Sequence, residues 1–139
     1  MAAALLALLL ASVSLGTGRA ACAFDPTCED DWSKFESHCY QFFDRKSSWT
    51  GAEDACQLLG AHLASVHSLD ENDFLYQLII KKTGYNTMTW LGGRNTHTPD
   101  NLKNREHHLF INHLREKKWG DYPESYSLRY VCAKKLTPV

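Results

Sequence analysis

The cysteines are the residues of this 139-residue chain whose chemistry is easiest to specify. There are five, at Cys22, Cys28, Cys39, Cys56 and Cys132. A structural zinc site favours closely spaced cysteine pairs, whereas the successive gaps here are 6, 11, 17 and 76 residues. Structural zinc is therefore not expected, and the count favours two disulfide bridges plus one cysteine outside them. Spacing alone leaves the pairing open.

Histidine and acidic residues in the last third of the chain are a second group to weigh. His107 and His108 are adjacent, and neighbours on a strand point to opposite faces, so they are not expected to bind one ion. Glu106 and Asp121 have the residue types of an acid and base pair for glycoside cleavage, but nothing in the sequence sets their separation. The chain also lacks a nucleophile motif such as G-x-S-x-G. An enzyme is therefore not expected.

Residues 1–20 have the composition of a secretory signal peptide. They contain no acidic residue, residues 3–10 include no polar side chain, and small residues lead up to Ala20. The apolar run is far shorter than the roughly 20 residues that cross a bilayer. The sequence predicts cleavage after Ala20, secretion to a compartment where disulfides persist, and no membrane span later in the chain.

Residues 21–139 are expected to form one domain with a single core. Removing the leader takes away Arg19, so 14 basic residues face 16 acidic ones and the formal net charge becomes −2. Because this part of the chain is close to neutral, nucleic acid is not an expected partner.

Two helices are marked by their capping residues. Ser48 is a candidate N-cap for a helix that Gly60 ends. Ser68 and Glu71 form a candidate capping box for a second helix, which Gly84 ends. The predicted buried stripe of this second helix is Phe74, Leu75, Leu78 and Ile79.

Segments with strand-like patterns surround the two helices. The aromatic-rich residues 38–43 precede them, and residues 88–91, 109–111 and 126–132 follow. This order of one strand, two helices and several further strands predicts an α+β domain.

Six short motifs from these segments resemble the C-type lectin-like domain in its long form. They are Cys28 with Trp32, Cys39 and Tyr40; Trp49 with Ala52 and Cys56; His62-Leu63-Ala64-Ser65-Val66 before the Ser68 helix; Trp90-Leu91-Gly92; Trp119-Gly120-Asp121; and Tyr130-Val131-Cys132. Their common order makes the resemblance specific, and it covers nearly all of residues 21–139. It implies a disulfide-stapled α+β fold of two helices with small antiparallel sheets.

The resemblance also implies which cysteines pair. Cys28 is expected to bond with Cys39, and Cys56 with Cys132. Cys22 has no partner in the family pattern, so it is expected either as a capped thiol or as an interchain bridge in a homodimer.

The chain departs from the family pattern in its long loop. The family's second bridge would fall at His108 and Glu124, and both cysteines are absent. If the two side chains face each other, protonated His108 could pair with Glu124, which at a surface stabilises by only about 0 to 1 kcal/mol. The loop is also short, as in a natural short-loop member or a splice or assembly variant.

The resemblance places a calcium and sugar site on this loop. Thr98-Pro99-Asp100 stands where the family has Glu-Pro-Asn in mannose-type binders or Gln-Pro-Asp in galactose-type binders, and its final Asp favours galactose. The implied metal ligands are Asp100, Glu106 and Asp121. The implied carbohydrate-binding residues are Thr98, Asp100, Glu106 and Asp121.

The donor chemistry of this set predicts weak binding. Calcium takes six to eight oxygens, and three carboxylates could supply three to six of them. Thr98 and Gly120 occupy two positions where the family has stronger ligands, and a carboxylate lacks the N–H that an amide gives to a sugar hydroxyl. We therefore expect Ca²⁺ to bind weakly and sugar more weakly.

The expected function is that of a secreted carbohydrate-binding module of galactose type, weakly dependent on calcium, with glycans or glycoproteins as partners. The alternative is a calcium-independent domain of the same fold that binds protein, mineral or ice.

Overall fold

The computed structural model describes residues 26–95, 107–113 and 117–137. The predicted leader and Cys22 lie outside the described residues, and so do Thr98, Asp100 and Glu106.

Helix α1 spans Trp49–Leu58 and begins where its N-cap predicts. The hydroxyl of Ser48 accepts a hydrogen bond from the N–H of Gly51 at 3.1 Å. The helix closes at Leu59, and Gly60 follows with a positive φ of 67°. Glycine adopts that left-handed conformation without strain, which lets the chain turn away from the helix.

Helix α2 spans Leu69–Thr83, and its N-terminus differs in one bond from a capping box. The Ser68 hydroxyl accepts the N–H of Glu71 at 3.0 Å, as predicted. The Glu71 carboxylate accepts the N–H of His67 at 2.7 Å, one residue before the N-cap. Gly84, with a φ of 81°, ends the helix at the predicted position.

Seven strands form one sheet in the described part of the chain. They are β1 Ser33–Phe35, β2 His38–Ser47, β3 His62–Leu63, β4 Thr89–Asn95, β5 His107–His113, β6 Lys118–Pro123 and β7 Leu128–Lys135. The order is β1-β2-β7-β4-β5-β6, and β3 pairs with β7. Strands β4 and β7 run parallel through Thr89 and Trp90, while the other pairs are antiparallel. The α+β fold is confirmed.

The core consists of two clusters that the sheet separates. Successive strand residues alternate between the clusters, as side chains on a pleated strand must. The alternating pairs are Trp90 and Leu91, Phe110 and Ile111, and Tyr130 and Val131. Helix α1 contributes to the first cluster and α2 to the second, where Leu75, Leu78 and Ile79 of the predicted stripe are buried.

Two disulfides join distant parts of the fold, with the pairing that the resemblance implies. Cys28 is bonded to Cys39 of β2, and Cys56 of α1 is bonded to Cys132 of β7. The second bond therefore fastens a helix directly to the middle of the sheet.

Candidate functional site

Strand β6 carries the described part of the predicted site. Asp121 pairs in register with Leu109 of β5, and Trp119 pairs with Ile111. Residues two apart on a strand share a face, so Trp119 and Asp121 lie on the side of the sheet that α2 covers. Asp121 is partly buried. The hairpin of β5 and β6 thus holds this predicted ligand on a hydrogen-bonded strand.

The other predicted ligands, Thr98, Asp100 and Glu106, lie outside the described residues. Their approach to Asp121 therefore stays a prediction. Within residues 26–95, 107–113 and 117–137, no three His, Cys, Asp or Glu residues form a group that could hold a metal ion.

Trp119 is fastened to helix α2. Its indole Nε1–H donates to the side-chain oxygen of Asn72 at 2.9 Å. The amide nitrogen of Asn72 in turn donates to the carbonyl of Lys117 at 3.4 Å. The indole is nevertheless 47% exposed. The structure therefore shows a half-exposed ring that is fixed from one edge.

Lys117 makes a second connection between β6 and α2. Its ammonium lies 2.7 Å from the Asp73 carboxylate and 4.7 Å from the centre of the Tyr76 ring. Because both charged side chains are about half exposed, water screens this pair and it stabilises little. Its effect is mainly to set where the start of β6 lies.

A groove of about 690 Å³ lies between the start of α2 and the start of β6. Residues 66–69 and Asn72 line one side, and residues 117–119 line the other. We call it the α2–β6 groove. It combines exposed apolar groups, including Leu69 at 85% exposure, with two lysines. No local sequence pattern predicts this groove, because its two sides are more than 40 residues apart in the chain.

His108 and Glu124, where the resemblance places the family's second bridge, face each other. The Nε2 atom of His108 lies 3.8 Å from a carboxylate oxygen of Glu124. The imidazole is fully buried and stacks on Trp49, with ring centres 4.2 Å apart. The backbone N–H of Trp49 also donates to the Glu124 carbonyl at 3.2 Å. The pair is therefore half-buried, which differs from the surface pair that the sequence suggested.

Glu71 is a buried acid whose full role the sequence did not reveal. Its carboxylate accepts the Tyr40 hydroxyl at 2.6 Å, in addition to the His67 N–H. Burial, followed by the hydrogen bond and the charge of Glu71, raises the pKa of the Tyr40 hydroxyl above its usual range. The sequence does indicate that Glu71 is buried, because it lies four residues before Leu75 and therefore on the same buried face of α2.

Glu53 is a second acid with a structural role. Its carboxylate accepts hydrogen bonds from the Leu63 N–H at 2.9 Å, from His62 at 2.6 Å and from Gln57 at 2.9 Å. Burial raises the pKa of the Glu53 carboxyl, but these hydrogen bonds outweigh it and hold the pKa below its usual value. The Glu53 side chain thus hydrogen-bonds helix α1 to strand β3.

The order of elements, the disulfides and the β6 motif together define a C-type lectin-like fold. The Lectin C-type domain profile matches residues 45–109. A lectin of Pleurodeles waltl is 30% identical over 134 residues, which cover 80% of this chain and 77% of that protein. The chain belongs to the C-type lectin-like family.

Other relatives match over a smaller part of their length. Ladderlectin of Oncorhynchus mykiss is 33% identical over 115 residues, and a snaclec of Macrovipera lebetinus is 40% identical over 88 residues. The matches cover 68% and 61% of this chain, and the chain spans 60% and 55% of the two relatives.

Solved structures with this fold include proteins with different targets. Herring type II antifreeze protein superimposes with a TM-score of 0.69 at 27% identity, covering 79% of this chain and all of that one. EMS16, an antagonist of the collagen receptor integrin α2β1, gives a TM-score of 0.67 at 28% identity, with the same coverage. These relatives are binding proteins, so the expectation that the chain is not an enzyme is confirmed.

No helix in the described ranges is both long and apolar enough to cross a membrane.

Proposed function

We propose that this domain is a secreted carbohydrate-binding module whose site lies where strand β6 meets the shortened loop. The observation that supports it is Asp121, held on β6 by its pairing with β5 and preceded by the half-exposed Trp119. Glycans or glycoproteins are the proposed partners, and the sequence Thr98-Pro99-Asp100 favours galactose-type sugars.

The chemistry of the site supports a weak calcium contribution. Asp100, Glu106 and Asp121 would bind Ca²⁺ through carboxylate oxygens, with water completing the shell. Thr98 would add one hydroxyl, while Gly120 adds no side chain. Because the site has fewer than six strong ligands, the dissociation constant for Ca²⁺ should lie in the millimolar range that is typical of extracellular modules.

Two intrachain disulfides support export, because such bonds persist in oxidising compartments. The proposal includes removal of residues 1–20 and a domain of residues 21–139. A homodimer linked through Cys22 belongs to the same proposal. A band of twice the monomer mass that disappears on reduction would support it.

Thermal unfolding with and without 10 mM calcium tests the metal site. At a dissociation constant of about 1 mM, this concentration would stabilise the folded state by about 1.4 kcal/mol, enough to raise the Tm measurably. Asp121→Asn should remove most of that shift. Asp54→Asn makes the same charge change at an exposed acid of α1 and should leave the shift unchanged. No shift in the parent protein would contradict the calcium part of the proposal.

A glycan array tests the sugar. Galactose-terminated glycans should bind in calcium, and binding should weaken in EDTA. Mannose-terminated glycans serve as the matched control for the Thr98-Pro99-Asp100 specificity.

A second candidate is calcium-independent binding of a protein. It is favoured by the likeness to EMS16, an antagonist of the collagen receptor integrin α2β1. It would become the leading function if calcium gave no thermal shift and no glycan bound. An extracellular protein ligand would then bind equally well in EDTA.

A further inference from the structure

We propose that the α2–β6 groove is a second, calcium-independent site, and that its ligand is an acidic saccharide. The inference rests on the proposed carbohydrate function only for the choice of ligand class. The lining residues, 66–69, 72 and 117–119, include none of the predicted calcium ligands.

The groove offers a fixed aromatic platform. The hydrogen bond to Asn72 holds the Trp119 ring in place while 47% of its surface stays exposed. Leu69, the first residue of α2, adds a second exposed apolar group. A ring that is already ordered loses little entropy on binding, and an indole packs well against the C–H face of a pyranose. The platform therefore suits a sugar ring.

The charges beside the platform favour an anion. The described lining residues include two lysines and no carboxylate. Lys117 is paired with Asp73, which lies outside the lining, and Lys118 is a second, exposed lysine. The first turn of the 15-residue helix α2 brings its positive end to the same place. Its two carboxylates, Asp70 and Glu71, lie outside the lining, and Glu71 accepts hydrogen bonds from the Tyr40 hydroxyl and the His67 N–H.

A saccharide with a carboxylate or a sulfate satisfies both features. Its ring would lie on Trp119, and its anionic group would lie near Lys118 and the start of α2. An uncharged sugar would use only the platform. The volume of about 690 Å³ lies within the roughly 300–1,000 Å³ of small-ligand sites.

Titration followed by NMR tests the site directly, with the Trp119 indole N–H signal as the reporter. The probes are galactose 6-sulfate, a glucuronic-acid disaccharide and uncharged galactose, all in EDTA. At least one acidic probe should shift the signal and bind about tenfold more tightly than galactose, which corresponds to about 1.4 kcal/mol. Binding should weaken as salt is raised, because exposed charges are screened. The two acidic probes distinguish sulfate from carboxylate recognition.

Single substitutions in the α2–β6 groove test whether the acidic probe binds there. Trp119→Ala and Lys118→Glu should each weaken the acidic probe by about tenfold or more. Lys118 is exposed, so its variant keeps the test valid even if Trp119→Ala does not fold. Leu58→Ala removes an exposed side chain of α1 outside the groove lining and should leave binding of the probe unchanged. Equal binding by parent, Trp119→Ala and Lys118→Glu would overturn the inference.

The two proposals can fail separately. Galactose that binds only in calcium, without any acidic probe binding in EDTA, would support the loop site and overturn the groove. An acidic probe that binds in EDTA, together with no calcium-dependent galactose binding, would support the groove and contradict the loop site.

Discussion

A single carboxylate at Glu53 joins helix α1 to strand β3, and it does so in its ionised form. The Leu63 N–H and His62 both donate to it, and its side chain is only 17% exposed. Hydrogen bonds to a charged group stabilise more than those between neutral groups. The lowered pKa of the carboxyl therefore represents stability that depends on pH.

Glu53→Gln should lower the free energy of unfolding at pH 7 by about 1–3 kcal/mol. Because the folded-state pKa lies below the unfolded one, the stabilisation is present above the unfolded value and is lost as pH falls through the folded value. The deficit of the variant should therefore shrink at about pH 3. Urea denaturation at both pH values measures it, and a deficit that is unchanged in acid would contradict this account.

The resemblance places a missing disulfide at His108 and Glu124, and the separation of their side chains supports that alignment. The nearest imidazole and carboxylate atoms are 3.8 Å apart. At that distance an ion pair forms only when the histidine is protonated, and it is a weak replacement for a covalent bond.

His108→Cys with Glu124→Cys should therefore form a disulfide. Closing about 17 residues should make the oxidised variant more stable than the reduced one by about 3 kcal/mol. Loss of the imidazole stack on Trp49 reduces the gain relative to the parent. Thiol counting and denaturation with and without reductant measure both effects. Two free thiols after oxidation would mean that the two positions are not neighbours.

The sequence does not predict the hydrogen-bond partners of residues that contact distant parts of the chain. Ser48 and Ser68 cap the N–H groups three residues later, so local spacing predicts them. Glu71 meets Tyr40 across 31 residues, and this contact exists only after α2 packs on β2. The loop ligands were assigned by resemblance, and only Asp121 lies in the described residues.

At the scale of elements, Asn72 makes one of the two connections between helix α2 and the start of strand β6. Asn72 accepts from the Trp119 indole and donates to the Lys117 carbonyl, so it connects to both the ring and the backbone at the start of β6. The orientation of the exposed Trp119 ring therefore depends on the helix rather than on the strand alone.

Asn72→Ala should free that ring. The indole N–H of Trp119 should move to a solvent-like NMR shift, and the free energy of unfolding should fall by about 1 kcal/mol. Gln77→Ala, at an exposed position of the same helix, is the matched control. An unchanged indole signal in Asn72→Ala would show that other contacts fix the ring.

The sequence predicts the ends of helices and strands where local residue preferences set them. It predicts them less well where pairing with a distant strand sets them. Gly84 ends α2 as expected, because its left-handed φ favours glycine. Strand β2 extends to Ser47, beyond the predicted residues 38–43, because it pairs with β7 again at Ser47 after an irregularity that follows Phe43. Strand β7 begins at Leu128, since Tyr126 stacks on Tyr122 near the preceding turn. The parallel contact of β4 with β7 has no local signal.

At the scale of the whole molecule, the sheet separates two clusters and the disulfides secure different parts of it. Cys28–Cys39 closes a short segment at the edge, where β1 pairs with β2. Cys56–Cys132 spans 76 residues, a stretch that contains helix α2 and strands β3 to β6. In a small domain, a bond across most of the chain removes far more freedom from the unfolded state.

Breaking Cys56–Cys132 should therefore destabilise the domain more than breaking Cys28–Cys39. The chain-entropy relation gives about 4.5 kcal/mol for the long span and about 2.8 kcal/mol for the short one. Both Cys56 and Cys132 are also fully buried, so their replacement leaves unfilled space in the core. Since small domains are stable by only about 5–15 kcal/mol, Cys56→Ala with Cys132→Ala should bring the protein close to unfolding. Urea denaturation of the two double variants, side by side, measures the difference. Equal losses would show that span length does not set the contribution of each bond.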